Sequence, residues 1–207
     1  MRGLLVALCG IDGAGKTTQQ KLLGAWFTRR GQQVLLTAQP TQAYRQDPRV
    51  RTYLNDGETS DMRTLALLSA ADRRWHVQSV VQPAMAEGIH VVTDRYLYSA
   101  LAYFSVRGLD PAYVRNLNAP LPEPDVTVFL DLPPESAVQR VAARDGELAK
   151  YEERRIDILR DVREAFKAVL PPETLIVDAT EGSEAVHHHI VHRVEAYLKV
   201  FAGEAAG

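Results

Sequence analysis

Residues 10–17 read Gly-Ile-Asp-Gly-Ala-Gly-Lys-Thr, which fits the phosphate-binding loop pattern G-x-x-x-x-G-K-[ST]. The apolar residues 4–9 before it suit a buried strand, and residues 16–23 after it suit the first turns of a helix. Glycines in such a loop let successive backbone N–H groups turn toward an anion, and the helix N-terminus adds positive potential. The stretch therefore predicts a strand, loop and helix that bind the phosphates of a nucleoside triphosphate.

Each residue type in this loop has an expected role in binding ATP. The amine of Lys16 is expected to reach the β- and γ-phosphates, and the Thr17 hydroxyl is expected to ligate Mg²⁺. A glycine turn beside a solvated lysine is the alternative, which the position between a strand and a helix disfavours. The predicted ATP-binding residues are Gly10, Gly13, Ala14, Gly15, Lys16, Thr17 and Thr18, together with Arg140 from a later basic segment.

The composition is that of an ordinary globular protein. The chain has 207 residues, of which 46% are hydrophobic and 24% charged, and its formal net charge is −2. That charge gives no general reason to expect nucleic-acid or membrane-surface binding. The single cysteine, Cys9, excludes an intramolecular disulfide, and no stretch approaches the roughly 20 apolar residues of a membrane span. We expect one cytoplasmic domain over residues 1–207, with residues 203–207 frayed.

Apolar, strand-like runs alternate with longer helical patterns along the chain. The predicted strands are residues 3–9, 33–37, 89–93, 126–131 and 174–178. The predicted helices lie near residues 16–30, 48–55, 61–87, 97–107, 134–145, 151–169 and 183–201. This alternation indicates a three-layer α/β fold, in which helices cover both faces of a five-stranded parallel sheet. Trp26 and Trp75 fall within helical patterns and are expected to pack in or beside the core.

An acidic and a basic residue follow the third predicted strand, where ligands bind in such folds. There the Asp94 carboxylate would hold Mg²⁺, partly through water, or orient an acceptor phosphate. The Arg95 guanidinium would bridge two phosphates as charge builds between them. An aspartate helix cap beside a surface arginine is the alternative. The phosphate-binding loop earlier in the chain favours the catalytic interpretation, with Thr17 and Asp94 as the metal-binding residues.

Several motifs of the sequence resemble those of the thymidylate kinase family, in the same order and at similar spacing. Residues 10–19 look like the family's phosphate-binding loop, including its acidic residue at Asp12. Residues 67–73, Leu-Leu-Ser-Ala-Ala-Asp-Arg, resemble the L-L-F-x-A-x-R helix, and residues 94–103 resemble D-R-Y-x-x-S-x-x-A-Y. Residues 126–134 resemble the strand that ends in L-D-x-P-P. The resemblance implies a P-loop kinase fold with a short lid near residues 141–152, the cofactors ATP and Mg²⁺, and a homodimer.

The resemblance also implies how a nucleoside monophosphate is held as the acceptor. Asp12 would accept a hydrogen bond from its 3′-hydroxyl, and Arg51 and Arg95 would grip its 5′-phosphate. Arg73 would donate to a carbonyl of the base, and Tyr103 would pack beneath the sugar. Taken alone, Arg51 and Arg73 fit solvated helix arginines as well. The implied acceptor-binding residues are Asp12, Pro40, Arg51, Ser69, Arg73, Arg95, Ser99, Tyr103 and Phe104.

A basic segment is expected to supply further catalytic cations. Arg140, Arg144 and Lys150 surround residues 145–149, where a closing lid would neutralise the phosphates and exclude water. Family members carry an arginine either in the phosphate-binding loop or on the lid, and Ala14 at the loop position assigns it here to the lid. Arg144 is the first choice and Lys150 the second, and a charged helix surface continuing through residues 152–155 is the alternative. The predicted catalytic residues are Lys16, Asp94, Arg95, Arg144 and Lys150.

Three positions depart from the family pattern where the acceptor base would lie. Ser69 stands where the family usually has a phenylalanine stacked on thymine, and loss of that stacking removes about 1–3 kcal/mol. Phe104 stands where many bacterial members have glutamine, and Gln39 where many have glutamate. The catalytic residues are intact, so these departures bear on the base that is accepted.

The sequence thus favours ATP- and Mg²⁺-dependent phosphorylation of a nucleoside monophosphate, with dTMP as the leading acceptor and dTDP as the product. The same chemistry on another nucleotide or nucleotide-like acceptor is the first alternative. A regulatory P-loop protein driven by nucleotide hydrolysis is the second, although the acceptor-side arginines would have no purpose in it. A weakly active nucleotide-binding relative that acts through protein partners is the third. Neither a nucleic-acid nor a membrane partner is expected.

Overall fold

The computed structural model describes residues 2–59, 61–146 and 150–204, with backbone alone for 201–204. Its strands are β1 (Leu5–Cys9), β2 (Val34–Ala38), β3 (His90–Asp94), β4 (Val126–Asp131) and β5 (Leu175–Asp178). Its helices are α1 (Lys16–Arg29), α2 (Gln42–Gln46), α3 (Pro48–Asp56), α4 (Met62–His76), α5 (Gln82–Ala86), α6 (Leu97–Val106), α7 (Pro111–Asn118), α8 (Pro134–Asp145), α9 (Ile156–Val169) and α10 (Ser183–Glu204). A π-helical turn, Val77–Val81, joins α4 to α5, and a 3₁₀ turn, Glu152–Arg154, precedes α9.

The five strands form one parallel sheet in the order β2-β3-β1-β4-β5. All five residues of β1 are buried, because this central strand is covered on both faces and has a strand on either side. Asp94 at the end of β3 lies in register with Leu8 of β1 and Ala38 of β2. The predicted three-layer fold with its five-stranded parallel sheet is confirmed, and its register places the ends of three strands side by side.

Helices pack in pairs around this sheet. α1 lies beside α10, and α6 lies beside α9. Phe27 of α1 stacks on His90 of β3 with ring centroids 4.6 Å apart, and Phe166 of α9 packs on Phe129 of β4 at 5.3 Å. The helices are therefore held to the strands by buried aromatic contacts, and the strand ends are fixed relative to the helices that follow them.

The helical prediction differs from the structure in four places. One is the helix predicted over residues 151–169, where a 3₁₀ turn and an extended Arg155 precede α9. The stretch predicted as one helix over residues 61–87 contains the π-helical turn, and Pro83, which has no N–H to give the turn before it, lies just beyond that turn. The short helices α2 and α7 were not predicted. Asp110 caps α7 by accepting from the Ala112 N–H at 2.8 Å, and Pro111 occupies the first helical position, so this start signal was present in the sequence.

The two tryptophans differ in environment. Trp26 packs partly buried against the core, as expected. The prediction for Trp75 is wrong, since the side chain is 61% exposed on α4. Helix α10 extends to Glu204 and so enters the segment expected to fray, while residues 205–207 lie outside the described residues. No helix in the described ranges has both the length and the apolar content needed to cross a bilayer.

Candidate active site

The described residues form two adjoining cavities beyond the carboxyl ends of the strands. The donor cavity encloses about 1400 Å³, including its open mouth, and is lined by residues 13–18 of the phosphate-binding loop and by Asp94, Arg140 and Arg144. The acceptor cavity encloses about 700 Å³ and is lined by residues of α4 and α6 such as Ser69, Arg73 and Tyr103. Five residues line both cavities and are called the border here: Asp12, Arg45, Arg95, Lys150 and Glu153.

The phosphate-binding loop owes its curvature to glycines at positions that other residues rarely adopt. Gly13 and Gly15 have φ of 82° and 92°, in the left-handed region. A Cβ atom on Gly13 would also lie 2.8 Å from the carbonyl oxygen of Ala137, so the close approach to α8 requires glycine. Because Gly15 immediately precedes α1, the loop delivers the helix N-terminus to the donor cavity.

Lys16 is buried at the start of α1 and lines the donor cavity. Its Nζ donates to the carbonyl oxygen of Ile11 at 2.8 Å, which folds the side chain back over the loop. Burial, and then the positive charge of Arg95, lower the pKa of Lys16 to about 8. The amine therefore remains charged at neutral pH and is placed to meet an anion.

Thr17 and Asp94 form an oxygen pair on the floor of the donor cavity. The Thr17 hydroxyl donates to Oδ2 of Asp94 at 2.8 Å, which joins α1 to the end of β3. A hydroxyl and a carboxylate are the hard oxygen ligands that Mg²⁺ accepts, and this ion usually binds few protein groups while it keeps waters and phosphates. The described residues contain no cluster of three or more His, Cys, Asp or Glu side chains that could hold a metal ion.

Arg95 has a strained backbone at the border. Its φ is 68°, the only positive value for a non-glycine residue in the described part of the chain. The Arg95 N–H donates to Leu8 at 2.9 Å and its carbonyl accepts from the Thr93 hydroxyl at 2.7 Å, so both strands hold this conformation. Strain of this kind is typical of functional positions, where the fold fixes a side chain in an unusual direction.

The Arg95 side chain is held by a triangle of hydrogen bonds with Asp12 and Tyr103. Its Nη2 donates to Oδ1 of Asp12 at 2.7 Å and to the Tyr103 hydroxyl at 3.0 Å. The Tyr103 hydroxyl in turn donates to Oδ2 of Asp12 at 3.0 Å. Burial favours a higher pKa for Asp12, but the positive charges of Arg95, Lys16 and Lys150 outweigh it and lower that pKa well below its usual range. Asp12 is therefore an ionised acceptor between the two cavities.

Arg73 reaches the acceptor cavity from the buried face of α4. Only 1% of the residue is exposed. Its Nε donates to Oε1 of Gln39 at 3.0 Å and its Nη1 donates to Oδ1 of Asn118 at 2.5 Å. Burial lowers the pKa of Arg73 to about 10, since both of these partners are neutral amides. A buried cation beside a cavity favours an electron-rich ligand group there.

The rest of the acceptor cavity is aromatic and contains a buried ion pair. Ser69 is only 2% exposed and offers no ring, but Phe104 and Tyr44 line the same cavity. Arg107 stacks on Phe104 with its guanidinium carbon 4.9 Å from the ring centroid. Glu152 accepts from the Nε and Nη2 of Arg107 at 2.8 and 2.6 Å, so this stack is fixed to the segment before α9.

The basic segment has its cations paired in this structure. Arg144 is exposed at the end of α8 and forms an ion pair with Asp145 at 2.5 Å. Lys150 Nζ pairs with Glu153 at 2.7 Å, and Arg140 donates to the carbonyl oxygen of Ala179 at 3.0 Å. The predicted lid spans residues 141–152, of which 147–149 lie outside the described residues.

The structure gathers most of the predicted residues but leaves two outside the cavities. The ATP-binding and catalytic residues line the donor cavity except Gly10, which turns at the end of β1 where a Cβ atom would lie 2.8 Å from the Leu130 carbonyl oxygen. The acceptor-binding residues line the acceptor cavity except Arg51, which is exposed on α3 and lines neither cavity, so its place beside the acceptor phosphate stays a prediction. Arg45, six residues earlier on α2, lines both cavities. The individual binding and catalytic roles stay predictions.

Several residues of the site were missed from the sequence. Tyr44 and Arg45 lie on α2, whose start signal is Thr41, which accepts from the Ala43 N–H at 3.2 Å. Glu152 and Glu153 belong to a run interpreted as a possible charged surface, yet both are buried. Nothing in the local pattern around Arg107 distinguishes it from a surface arginine, because its partner lies 45 residues away.

Comparisons with known proteins show the family to which the sequence belongs. The sequence model of the thymidylate kinase family matches residues 8–190. A probable thymidylate kinase of Pyrococcus horikoshii is 40% identical, over 96% of this chain and 98% of that protein. A thymidylate kinase of Clavibacter sepedonicus is 37% identical over the whole of both chains, and a probable one of Archaeoglobus fulgidus is 33% identical over 95% and 97%. This chain therefore belongs to the thymidylate kinase family.

Proposed function

We propose that this chain transfers the γ-phosphoryl group of ATP to dTMP, which yields ADP and dTDP, and that Mg²⁺ assists. The observation that carries the proposal is the border, where Asp12, Arg95 and Lys150 line both cavities. A phosphate loop on one side and a buried arginine on the other fit a triphosphate and a nucleotide base, respectively. The family and the names of its members support dTMP as that nucleotide.

The reaction needs a nucleophile, which the acceptor brings with it. An anionic oxygen of the dTMP phosphate attacks the γ-phosphorus in line, while the bond from that phosphorus to the β,γ-bridging oxygen breaks and ADP leaves with the electron pair. No strong base is needed because the attacking oxygen is already ionised. Catalysis then consists of positioning and of neutralising the charge on the transferred group.

The residues of the donor cavity fit that task. Lys16 would contact the β- and γ-phosphates, and Arg95 would donate hydrogen bonds to the phosphates of both substrates at the border. Arg144 and Lys150 would leave Asp145 and Glu153, their partners at 2.5 and 2.7 Å, to face the phosphates as the lid closes. Thr17 and Asp94 would hold Mg²⁺, which when bound supplies a Lewis acid for the phosphate oxygens.

The residues of the acceptor cavity fit a deoxynucleotide. Asp12 is an ionised acceptor and suits the 3′-hydroxyl, and Tyr103 lies beside it with its hydroxyl donating to Asp12 at 3.0 Å. Arg73 presents N–H donors to a base carbonyl. Phe104 and Tyr44 offer the aromatic surface that Ser69 does not.

The identity of the base has one specific rival. Ser69 at the position of the usual phenylalanine leaves space at the base, which favours a bulkier or different acceptor base as the second candidate. ADP release measured over a panel of dTMP, dUMP, dCMP and dGMP tests the choice. We expect dTMP to have the highest kcat/KM, and equal or faster turnover of another monophosphate would contradict the dTMP assignment.

We further propose a homodimer, which the sequence resemblance implies. Its support is one face of α4, where Leu67 and Trp75 are 51% and 61% exposed and stand two helical turns apart. Sedimentation of the chain is expected to give twice the 23.0 kDa of a single copy, and a monomer at micromolar concentration would contradict it. The cytoplasmic location and the single domain over residues 1–207 stay predictions.

A further inference from the structure

The side chains that accept hydrogen bonds from the Arg73 guanidinium, Gln39 and Asn118, are both neutral amides. The Arg73 Nε donates to Gln39 and its Nη1 donates to Asn118. The Nη2 group is therefore available to donate to a ligand in the acceptor cavity, which Arg73 lines. An ionised partner would attract the arginine through its charge, whereas amide oxygens orient it only through directional hydrogen bonds. The direction in which Arg73 points therefore depends on how Gln39 is itself held.

A buried histidine fixes the Gln39 amide. Gln39 is fully buried, and its Nε2 lies 2.9 Å from Nδ1 of His76. A guanidinium only donates, so the amide oxygen must face Arg73 and the amide nitrogen must face His76. His76 Nδ1 is consequently the acceptor. The ring proton then sits on Nε2, which donates to the Thr37 hydroxyl at 2.8 Å.

These contacts form a chain of hydrogen bonds with one permitted direction, from the end of β2 to the base end of the acceptor cavity. We propose that His76 and Gln39 are positioning residues that orient Arg73 toward the acceptor base, and that they do so only while His76 is neutral. This inference rests on the proposed function, because it names what sets the base contact of that same site. It assigns roles to two residues that touch neither substrate.

Protonation of His76 disrupts this series of hydrogen bonds. An imidazolium carries N–H on both nitrogens, so Nδ1 would meet the N–H groups of Gln39 donor to donor. Rotation of the amide would relieve that contact, but it would then aim the amide N–H groups at the Nε–H of Arg73. Either way Arg73 loses its partner, and its N–H groups no longer face the base carbonyl.

The surroundings of His76 keep it neutral near pH 7. Burial lowers the pKa of His76, and although the negative charge of Asp72 opposes this shift, Arg73 reinforces it. Thr37 and Gln39, which face the ring from β2 and the residue after it, carry no charge. His76 thus gains its proton only in acid, so we expect KM for dTMP to rise as pH falls through this lowered pKa.

The test measures kcat and KM for dTMP between pH 5 and 8 in the unmodified chain and in His76→Asn. Asparagine carries an oxygen near the place of Nδ1, accepts from Gln39 and does not titrate. We expect KM of the unmodified chain to rise about tenfold more than that of His76→Asn over the acid range, with little difference in kcat. The ionisation of the dTMP phosphate affects both proteins equally and cancels in the comparison.

A matched control and a second variant complete the experiment. His90 accepts from the Leu4 N–H at 3.1 Å through Nδ1, far from the cavity, so His90→Asn should keep the acid-side rise in KM. Gln39→Leu removes the Arg73 partner and should raise KM for dTMP about tenfold at all pH values, with reduced preference for dTMP over dCMP. Gln39→Glu keeps an acceptor for Arg73 and should preserve that preference.

The outcomes distinguish the positioning role of His76 and Gln39, called the relay here, from the proposed function on which it rests. Parallel KM curves for the unmodified chain and His76→Asn, or an unchanged dTMP-to-dCMP preference in Gln39→Leu, would overturn the relay while dTMP phosphorylation stands. No turnover of dTMP by the unmodified chain at any pH would overturn the proposed function and with it this inference.

Discussion

The donor and acceptor cavities share a border but are constructed in different ways. The donor cavity takes most of its phosphate-facing wall from one continuous stretch, residues 13–18, whose backbone conformation is set by glycines. The acceptor cavity is assembled from side chains that meet across long sequence separations. Arg73 bonds to Gln39 and Asn118, which lie 34 and 45 residues away, and Arg107 bonds to Glu152, also 45 residues away.

This contrast explains which parts of the site can be predicted from a single sequence. A phosphate-binding loop can be recognised in a sequence because its glycines and its lysine follow one another at fixed spacing. The residues of a side-chain network have no fixed spacing in the sequence, since they need only lie close together in the folded chain. Substrate class at the donor side is therefore readable from the chain, while base choice at the acceptor side depends on contacts that the fold alone creates.

The largest effect is expected at the continuous wall. Lys16→Ala removes the buried amine over the phosphate-binding loop and should lower kcat by about 10³-fold, in the range known for cations that stabilise transferring phosphoryl groups. Initial rates at saturating ATP and dTMP measure it. Lys21→Ala, an exposed lysine on the same helix, is the matched control and should be neutral. An active Lys16→Ala enzyme would remove the donor assignment.

Arg95 belongs to both cavities, so its loss should affect both substrates. Arg95→Ala breaks the contacts with Asp12 and Tyr103 and should reduce kcat by about 10²-fold while raising KM for dTMP. The exposed Arg51 provides the contrast, because Arg51→Ala should leave both constants unchanged. A rise in KM for dTMP in Arg51→Ala would show that α3 moves toward the acceptor during turnover.

The buried ion pair beside the acceptor cavity should contribute to the stability of the fold. The Arg107 and Glu152 side chains are 10% and 8% exposed, so Glu152→Ala leaves a buried cation without its partner and should cost about 3 kcal/mol of unfolding free energy. Denaturant unfolding measures this loss. Glu164→Ala, which breaks an exposed pair with Lys167, should cost less than about 1 kcal/mol. Equal losses would mean that the pair contributes nothing particular to this wall.

The smallest effect distinguishes the two cavities by pH. Lys16 is charged below its pKa of about 8 and neutral above it, so ATP should bind more weakly as pH rises beyond 8. We expect KM for ATP to increase several-fold between pH 7.5 and 9 while KM for dTMP changes little. An alkaline rise in KM for dTMP of the same size would contradict the separation of the two cavities.

The sequence predicted the framework closely, and it did so where local patterns determine structure. All five strands were predicted to within two residues of their observed bounds, because buried apolar runs between helices have few alternatives. The errors concern tertiary context. Trp75 is exposed although its helix is amphipathic. Arg45 lines both cavities, whereas Arg51 is exposed on α3 and lines neither. A one-dimensional pattern does not fix which of two nearby arginines the fold turns inward.

The charged run over residues 152–155, for which a solvated helix surface was the alternative, shows this limit most plainly. Glu152 and Glu153 continue a run of charges that is typical of a solvated surface, yet both are buried and pair with Arg107 and Lys150. A buried carboxylate is stable only beside a cation. Arg107 directly follows α6, and Lys150 begins the segment that contains both glutamates. The partner has to be known before the burial is predictable.

The proposed function requires that the phosphoryl group of ATP is transferred at the border to a nucleotide and not to water. Quantifying ADP and dTDP together in one reaction of the unmodified chain with ATP and dTMP tests it. We predict one dTDP for each ADP and no ADP release when dTMP is left out. ADP formed without dTDP, at a rate indifferent to dTMP, would mark a hydrolysing switch and contradict the account.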